Sequence, residues 1–518
     1  MRLLPLLLLS PLTAMGQRIN HEGRILGDVP VVTEPLLFNT PAADAVVSAM
    51  QIMPKDNAWN EDISQLSPLG NSDAMIARVK ADLAVNTGRQ KLRLFTEMNY
   101  ALVPDKQPAQ PITFFSYPHE SDLEGGTSPV GLYPIPSILP VESWPAETGS
   151  LTNAEWQLDV NGDGGDRHAI MVKPGAGFVW ETWQTKRTAN GWRAANGAKF
   201  NLNANTLRPA GWTSADAAGL AMFPALVRYD ECQRGMVEHA LRLIVKHTRT
   251  GPIYPATHEA SDPETDDPDT PAMGQRFRLK AGYAIPDNWT IQEKAVLKAL
   301  KKYGAIVADN GNFFSVSITP DDRYPEDCFA HIQNTIDINQ FEVIQTTGAT
   351  GGPRSAGAPS ANAGADQWAA LTGTGVTLSL AGAVAAPGAV TTAWKRYSGP
   401  SNVTFANAAS PATTATFTAP GTYTLMLSAT DGVHAVAYDA AVITVTLNPV
   451  VSTAGNDIRV AFPSQTGHHY RVQKSSDMTN WQTLQDNLNG NNGTLTVTDA
   501  NALSSPGKRQ LYRVVVLD

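Results

Sequence analysis

The chain is poor in charge, nearly without cysteine and free of long apolar runs, and each shortage closes off a class of function. Of its 518 residues only 17% are charged, against 42% hydrophobic. That balance excludes both a disordered, charge-rich chain and a coiled coil laced with surface ion pairs. Lys and Arg number 39 against 48 Asp and Glu, a net charge of -9. Nucleic acid and anionic membrane surfaces reward clustered cations, so neither is expected as a partner; neutral or cationic ligands suit the chain better. The two cysteines, Cys232 and Cys328, allow one disulfide, and the sequence leaves open whether they meet or stay as thiols. No stretch approaches the roughly 20 apolar residues of a membrane-spanning helix.

Signatures of common chemistries are missing as well. There is no G-x-S-x-G turn and no H-E-x-x-H helix, which removes the usual serine-hydrolase and zinc-protease patterns. Cys232 follows Asp230-Glu231, neighbours that raise a thiol pKa and argue against a cysteine nucleophile. His168, His239 and His258 fit no recognised spacing for a transition metal.

What is present begins with an address. Arg2, the apolar Leu3 to Leu9 and the small-x-small Ala14-Met15-Gly16 read as a signal peptide cleaved after Gly16, so the mature protein is expected to be secreted or held at the cell surface. The length suggests about two to four domains. Thr346 to Ala361 has the Gly, Pro, Ser and Ala composition of a linker. Before it, residues 17–345 read as a large, mainly β module, sandwich or jelly-roll-like, with a few helices. Short strand-like runs cover Pro111 to Tyr117, Arg167 to Val172, Phe178 to Trp183, Ala240 to Lys246 and Arg276 to Ala281. One helix is signalled by the capping box Thr290 to Glu293, by Val296, Ala299, Leu300 and Tyr303 at helical spacing, and by Gly304 as a stop. A weaker one covers Ala42 to Met50. Strand-helix alternation is absent, which argues against a doubly wound sheet.

After the linker two small β-sandwich-like domains are expected. Residues 362–447 carry Ala363-Gly364-Ala365-Asp366, Trp394, and Phe417 to Tyr423 leading into Leu427-Ser428-Ala429-Thr430-Asp431-Gly432. On these the segment resembles the polycystic-kidney-disease (PKD) type of immunoglobulin-like domain, which implies a spacer or adhesion role. Alternation would turn Tyr423, Leu425 and Leu427 to one face and Thr424, Met426 and Ser428 to the other. Residues 448–518, with Tyr470 to Asp477, Trp481 and Leu511 to Val514, resemble a small terminal β module of verrucomicrobial exported proteins. That resemblance implies surface retention or sorting, with Tyr470, Trp481 and Tyr512 expected in its core. The first module resembles a group of exported bacterial proteins through Pro54 to Ser64, Glu120-Ser121-Asp122, Tyr133 to Pro136, Gly165 to His168, Leu207 to Leu220 and His239 to Arg242, a likeness that brings homology without an activity.

Within that module Glu120, Asp122, Asp166, His168 and Glu181 are the candidate acid–base groups. Glycosidic hydrolysis commonly uses two carboxyls facing each other across the bond. Asp166 and His168 would share a strand face, and a turn at Pro174 to Gly177 would fold Glu181 back beside them. The expected reading is a polysaccharide hydrolase with Asp166 and Glu181 as the acid/base pair, His168 orienting one of them, and Trp180, Trp183 and Trp212, with Trp192 nearby, as sugar-stacking rings. The competing reading of these residues is a structural hydrogen-bond cluster and core packing. Asp159, Asn161 and Asp163 open a D-x-N-x-D-G calcium loop, but Ile170 stands where an EF-hand places its glutamate, so only a shorter structural calcium turn, or a plain solvated turn, fits. The acidic run Glu259 to Asp269 invites the same idea. His258 with Arg276 and Lys280 would suit a polysaccharide lyase, neutralising a uronate and abstracting a proton. A non-catalytic glycan-binding or adhesion protein is the alternative from another class. In every reading the partner is an extracellular glycan, and no cofactor beyond structural calcium is called for.

Overall fold

The computed structural model describes residues 17–260, 265–345, 353, 355–371, 375–504 and 510–517. The segment expected to be a signal peptide, most of the expected linker and part of the acidic run, at 261–264, lie outside the described residues. Residues 20–356, with 433–435, form one compact unit; residues 357–432 and 436–518 belong to a second.

The first unit is mainly β, as its composition predicts. One sheet of five strands runs in the order Leu36–Leu37, Ala101–Leu102, Ala169–Lys173, Phe178–Trp183, Asn196–Asn201. A six-stranded sheet runs Phe341–Ile344, Arg276–Leu279, Ala305–Asn310, Leu241–Val245, Phe314–Ile318, Leu92–Thr96. Pairing in the larger sheet is mixed. Leu241–Val245 lies parallel to Ala305–Asn310, and Phe314–Ile318 parallel to Leu92–Thr96. Parallel neighbours need a long crossover, and the expected helix, Ile291–Lys302, lies on the chain between the first pair. Its capping box is formed by Thr290 and Glu293, and Ala295, Val296, Ala299 and Leu300 are buried.

The predicted hairpin forms across Pro174 to Gly177, placing Ile170 opposite Glu181 and Met171 opposite Trp180. Because side chains alternate, its two faces enter two different cores. Ile170, Val172 and Val179 join the main core of the unit, whereas Met171 and Trp180 pack with Ile112, Phe114, Tyr133 and Trp192 in a second one. The helix expected at Ala42 to Met50 runs Pro41–Ala49 from a Thr40 cap. Ser72–Asp82, Asn153–Leu158, Tyr229–Arg234 and Ala330–Thr335 are helices that periodicity did not signal; the last buries only Ile332.

In the second unit, Trp394 is buried among strands of two sheets, Gln367–Leu371, Ala437–Leu447, Gly421–Thr430, Thr391–Ser398 and Val376–Ala381, Ala412–Phe417, Val403–Phe405. The Tyr423 hydroxyl donates to the Ala419 carbonyl at 2.8 Å, the tyrosine-corner bond of immunoglobulin-like sandwiches. Tyr423, Leu425 and Leu427 are buried as expected, and Met426 is buried as well. Further along the chain, two three-stranded sheets close around Val460, Phe462, Tyr470 and Val472. Tyr470 is core and the half-buried Tyr512 packs against it. Trp481 is not part of that core: the Arg513 guanidinium covers it, 4.2 Å from the ring centroid.

Candidate active site

The hairpin does not bring Asp166 and Glu181 into one cleft. Asp166 precedes the strand Ala169–Lys173 and is exposed, with Trp183 Nε1 donating to its Oδ1 at 3.1 Å. Glu181 shares the hairpin face of Ile170 but is fully buried in the sheet, where its carboxylate accepts the backbone N–H groups of Met222 and Phe223 at 2.8–3.0 Å. Burial pushes its pKa up to about 7 against the pull of those two donors. Glu181 is thus an anchor for the Met222 turn rather than a group facing solvent.

Around Asp166 a different constellation assembles. Arg167 takes a left-handed backbone conformation, φ +48, which turns the chain so that Asp166 faces the cleft while His168 goes inward. The Glu142 carboxylate accepts from both the backbone N–H and the Nδ1 of His168, at 3.0 and 2.7 Å. His168 Nε2 faces the Ala215 carbonyl at 2.9 Å. With an acceptor at each ring nitrogen the imidazolium is favoured. Burial alone would lower the His168 pKa, but the charge and hydrogen bond of Glu142 raise it to about 9. Burial would likewise raise Glu142, and the charge and hydrogen bonds of His168 overcome it and hold the carboxyl low.

Beside this pair sits Glu97, just beyond the end of the strand Leu92–Thr96. Burial, and then the neighbouring Glu142 charge, push its carboxyl up to about 7. Arg242 closes the floor. Its Nε and Nη2 donate to the two oxygens of Asp216 at 2.9 and 2.8 Å, and Nη2 also reaches Asp309 at 2.7 Å. Burial, aided by the nearby Asp216, raises Asp309 to about 6 despite Arg242. Two adjoining cavities, about 500 and 140 Å³, share Glu97, Glu142 and Asp166 in their walls.

The other expected site residues are placed elsewhere. Asp122 pairs with Arg208 at 2.5 Å and Glu120 accepts from the Thr213 N–H, so both brace the 208–213 segment. Trp180 and Trp192 are core residues; Trp212 packs beside Arg208, and Trp183 touches the cleft through Asp166. His258 Nδ1 bonds the Ala217 carbonyl, while the buried Arg276 donates to the carbonyls of Tyr303 and Ala58. Lys280 is half-buried just past the end of the strand Arg276–Leu279, its backbone N–H donating to the Gln340 carbonyl at 2.9 Å. The small cavity that Arg276 lines includes neither Lys280 nor His258, so the three do not form the expected lyase group.

At the expected calcium turn, Asp159 accepts from Lys186 at 2.9 Å and from the Gly164 N–H, and Arg167 lies 3.8 Å away. Protein cations occupy that carboxylate. Asn161 and Asp163 are exposed in the rim of the larger cavity, and among the described residues no group of three or more His, Cys, Asp or Glu is arranged to hold a metal. Cys232 and Cys328 are buried free thiols, Cys328 pushed up to about 11 by burial. His239 bonds Glu231 and its own neighbour's carbonyl.

Glu97, Glu142, Arg242 and Asp309 were not singled out from the sequence. One signal was available: Glu97 interrupts a mostly apolar stretch from Leu94 to Val103, a place where a carboxylate is costly unless it has a use.

Comparison with known proteins bears on the second unit. Residues 363–445 match a PKD-domain family. No curated protein matches the chain. Among solved structures, the titin Ig tandem A164-A165 is 12% identical with a TM-score of 0.15, covering 31% of this chain and 95% of its own. A chimeric titin Z1Z2 is 16% identical with a TM-score of 0.14, covering 31% and 90%.

Proposed function

We propose that the first unit is a glycoside hydrolase acting on an extracellular polysaccharide, with Glu97 as proton donor and Asp166 as the second carboxyl. The observation that carries this reading is that both groups wall the same pair of cavities while Glu97 is kept protonated near neutrality by burial beside Glu142. A general acid needs that combination of access and raised pKa. Glu142, tied to His168, supplies a fixed negative charge that keeps the proton on Glu97 and would stabilise an oxocarbenium-like transition state. The PKD domain and the terminal module then serve as spacer and surface-retention parts of an exported enzyme.

The test is incubation of the purified protein with a polysaccharide panel, reading reducing ends and unsaturated products together. New reducing ends are expected, with Glu97→Gln lowering the rate by about 10²- to 10⁴-fold. Unsaturated products would make the protein a lyase. Binding that survives Glu97→Gln and Asp166→Asn, with no product released, would make it a glycan-binding protein.

A further inference from the structure

The walls of the two cavities carry six carboxyls, Glu97, Glu142, Glu147, Asp163, Asp166 and Asp309, against three cations, Arg167, His168 and Arg242. Each of those cations is already matched inside the protein. Arg242 is held by Asp216 and Asp309, His168 by Glu142, and Arg167 lies beside Asp159. Glu147, Asp163 and Asp166 make no ion pair among the described residues, so the cleft presents unmatched negative charge beside the protonated Glu97 to whatever enters it. A uronate or sulfated glycan would bring like charge against these groups, whereas an ammonium would relieve their mutual repulsion.

One further feature points to a ligand in the smaller chamber. Ser315 is fully buried in its wall, and its hydroxyl has no hydrogen-bond partner among the described residues. A buried hydroxyl left unmatched by the protein is a group waiting for an outside donor or acceptor. Phe95 and Phe313, half-buried in the same wall, meet edge to face with centroids 5.1 Å apart. Arg89 rests on the Phe313 ring and Arg93 on that of Phe95, 4.5 and 5.6 Å from the centroids, so the protein's own cations take these rings.

We infer that the cleft takes a glycan carrying free primary amines, a polymer of amino sugars whose ammonium groups lie among Glu147, Asp163 and Asp166, with one ring seated in the chamber beside Ser315. This rests on the reading of the site as a glycoside hydrolase and narrows its substrate class. Glu97 faces Glu142 and Glu147 as well as Arg242 and His168.

Calorimetric titration of the full chain with a glucosamine hexamer, cellohexaose and a galacturonate hexamer tests this, run at pH 7 in two buffers of different ionisation enthalpy, with product analysis on the same mixtures. The glucosamine hexamer is expected to bind at least about tenfold tighter than cellohexaose, with no proton release and with weakening by salt, and the uronate not at all. Ser315→Ala is expected to weaken that binding about tenfold; Asp166→Asn does the same and serves if Ser315→Ala fails to fold. Binding unchanged in the folded variants overturns the inference. Equal or tighter binding of cellohexaose or the uronate also overturns it, and if that ligand is cleaved in a Glu97-dependent way the hydrolase reading stands without it. Tight binding of the glucosamine hexamer with no cleavage upholds the inference and removes the hydrolase reading. No binding of any hexamer overturns the inference.

Discussion

Glu142 receives two hydrogen bonds from His168, one from its backbone N–H and one from its ring, so a single carboxylate fixes both the position and the charge of the imidazole. The pair is buried, the histidine 3% exposed. His168 has its folded pKa raised to about 9 from the ordinary 6.5. Its contribution to stability is therefore complete below pH 6.5 and is lost as pH rises through 9. Thermal unfolding of the first unit is expected to shift down across that window, by about 3 kcal/mol at most. A Tm that stays flat between pH 6.5 and 9 would count against a charged His168.

Breaking the pair from either side should cost more than its net worth. Glu142→Gln strands a buried imidazolium and is expected to lose about 3–5 kcal/mol near pH 6. Combining it with His168→Gln should cost less than the sum of the two single changes, measured by denaturant unfolding.

Glu97 has the opposite consequence to a salt-bridged acid. Its folded pKa of about 7 lies above the ordinary 4.5, so the folded state keeps a proton that the unfolded chain gives up. Stability drains away as pH rises from 4.5 to 7, and Glu97→Gln should recover about 1–2 kcal/mol at about pH 8. Under the proposed hydrolase reading the same group would set the alkaline limb of activity: kcat/KM is expected to fall above about pH 7, and a profile flat to about pH 9 would rule out Glu97 as the acid.

Glu181→Gln separates a structural carboxylate from a catalytic one. Its oxygens take the N–H groups of Met222 and Phe223, so the amide is expected to lose about 1–3 kcal/mol of stability while the folded protein keeps any rate of the proposed hydrolysis. A rate loss comparable to that of Glu97→Gln, in a protein that still unfolds cooperatively, would return Glu181 to the active site.

Arg242→Lys keeps the charge but not the fork that spans both Asp216 oxygens. Destabilisation of about 2–4 kcal/mol is expected by chemical denaturation. In the second unit, Tyr423→Phe removes the bond to Ala419 and should cost about 1 kcal/mol of that unit's stability alone, read as a shift in its own unfolding transition.

Much of the fold was legible because it depends on neighbours in sequence. The capping box at Thr290, the turn at Pro174 to Gly177, the strand at Phe178 to Trp183 and the immunoglobulin-like signature around Trp394 and Tyr423 are all local patterns, and all took the form expected. The mixed pairing of the six-stranded sheet was not legible. Alternation reports which residues are buried, while the direction of a partner strand follows from crossovers such as the one that leads from Leu241–Val245 to Ala305–Asn310.

The β-rich modular plan, the PKD-like domain and the nearness of Asp166 to His168 are written in composition, periodicity or short spacing. The candidate site comes from contacts made on folding. Strand alternation turns Glu181 into the core beside Met222, and the left-handed Arg167 turns Asp166 outward. Glu97, Glu142, Arg242 and Asp309, far apart along the chain, converge on Asp166 and His168 through contacts between elements. Burial and charge at that convergence set the protonation of Glu97, and neither quantity exists until the chain has folded.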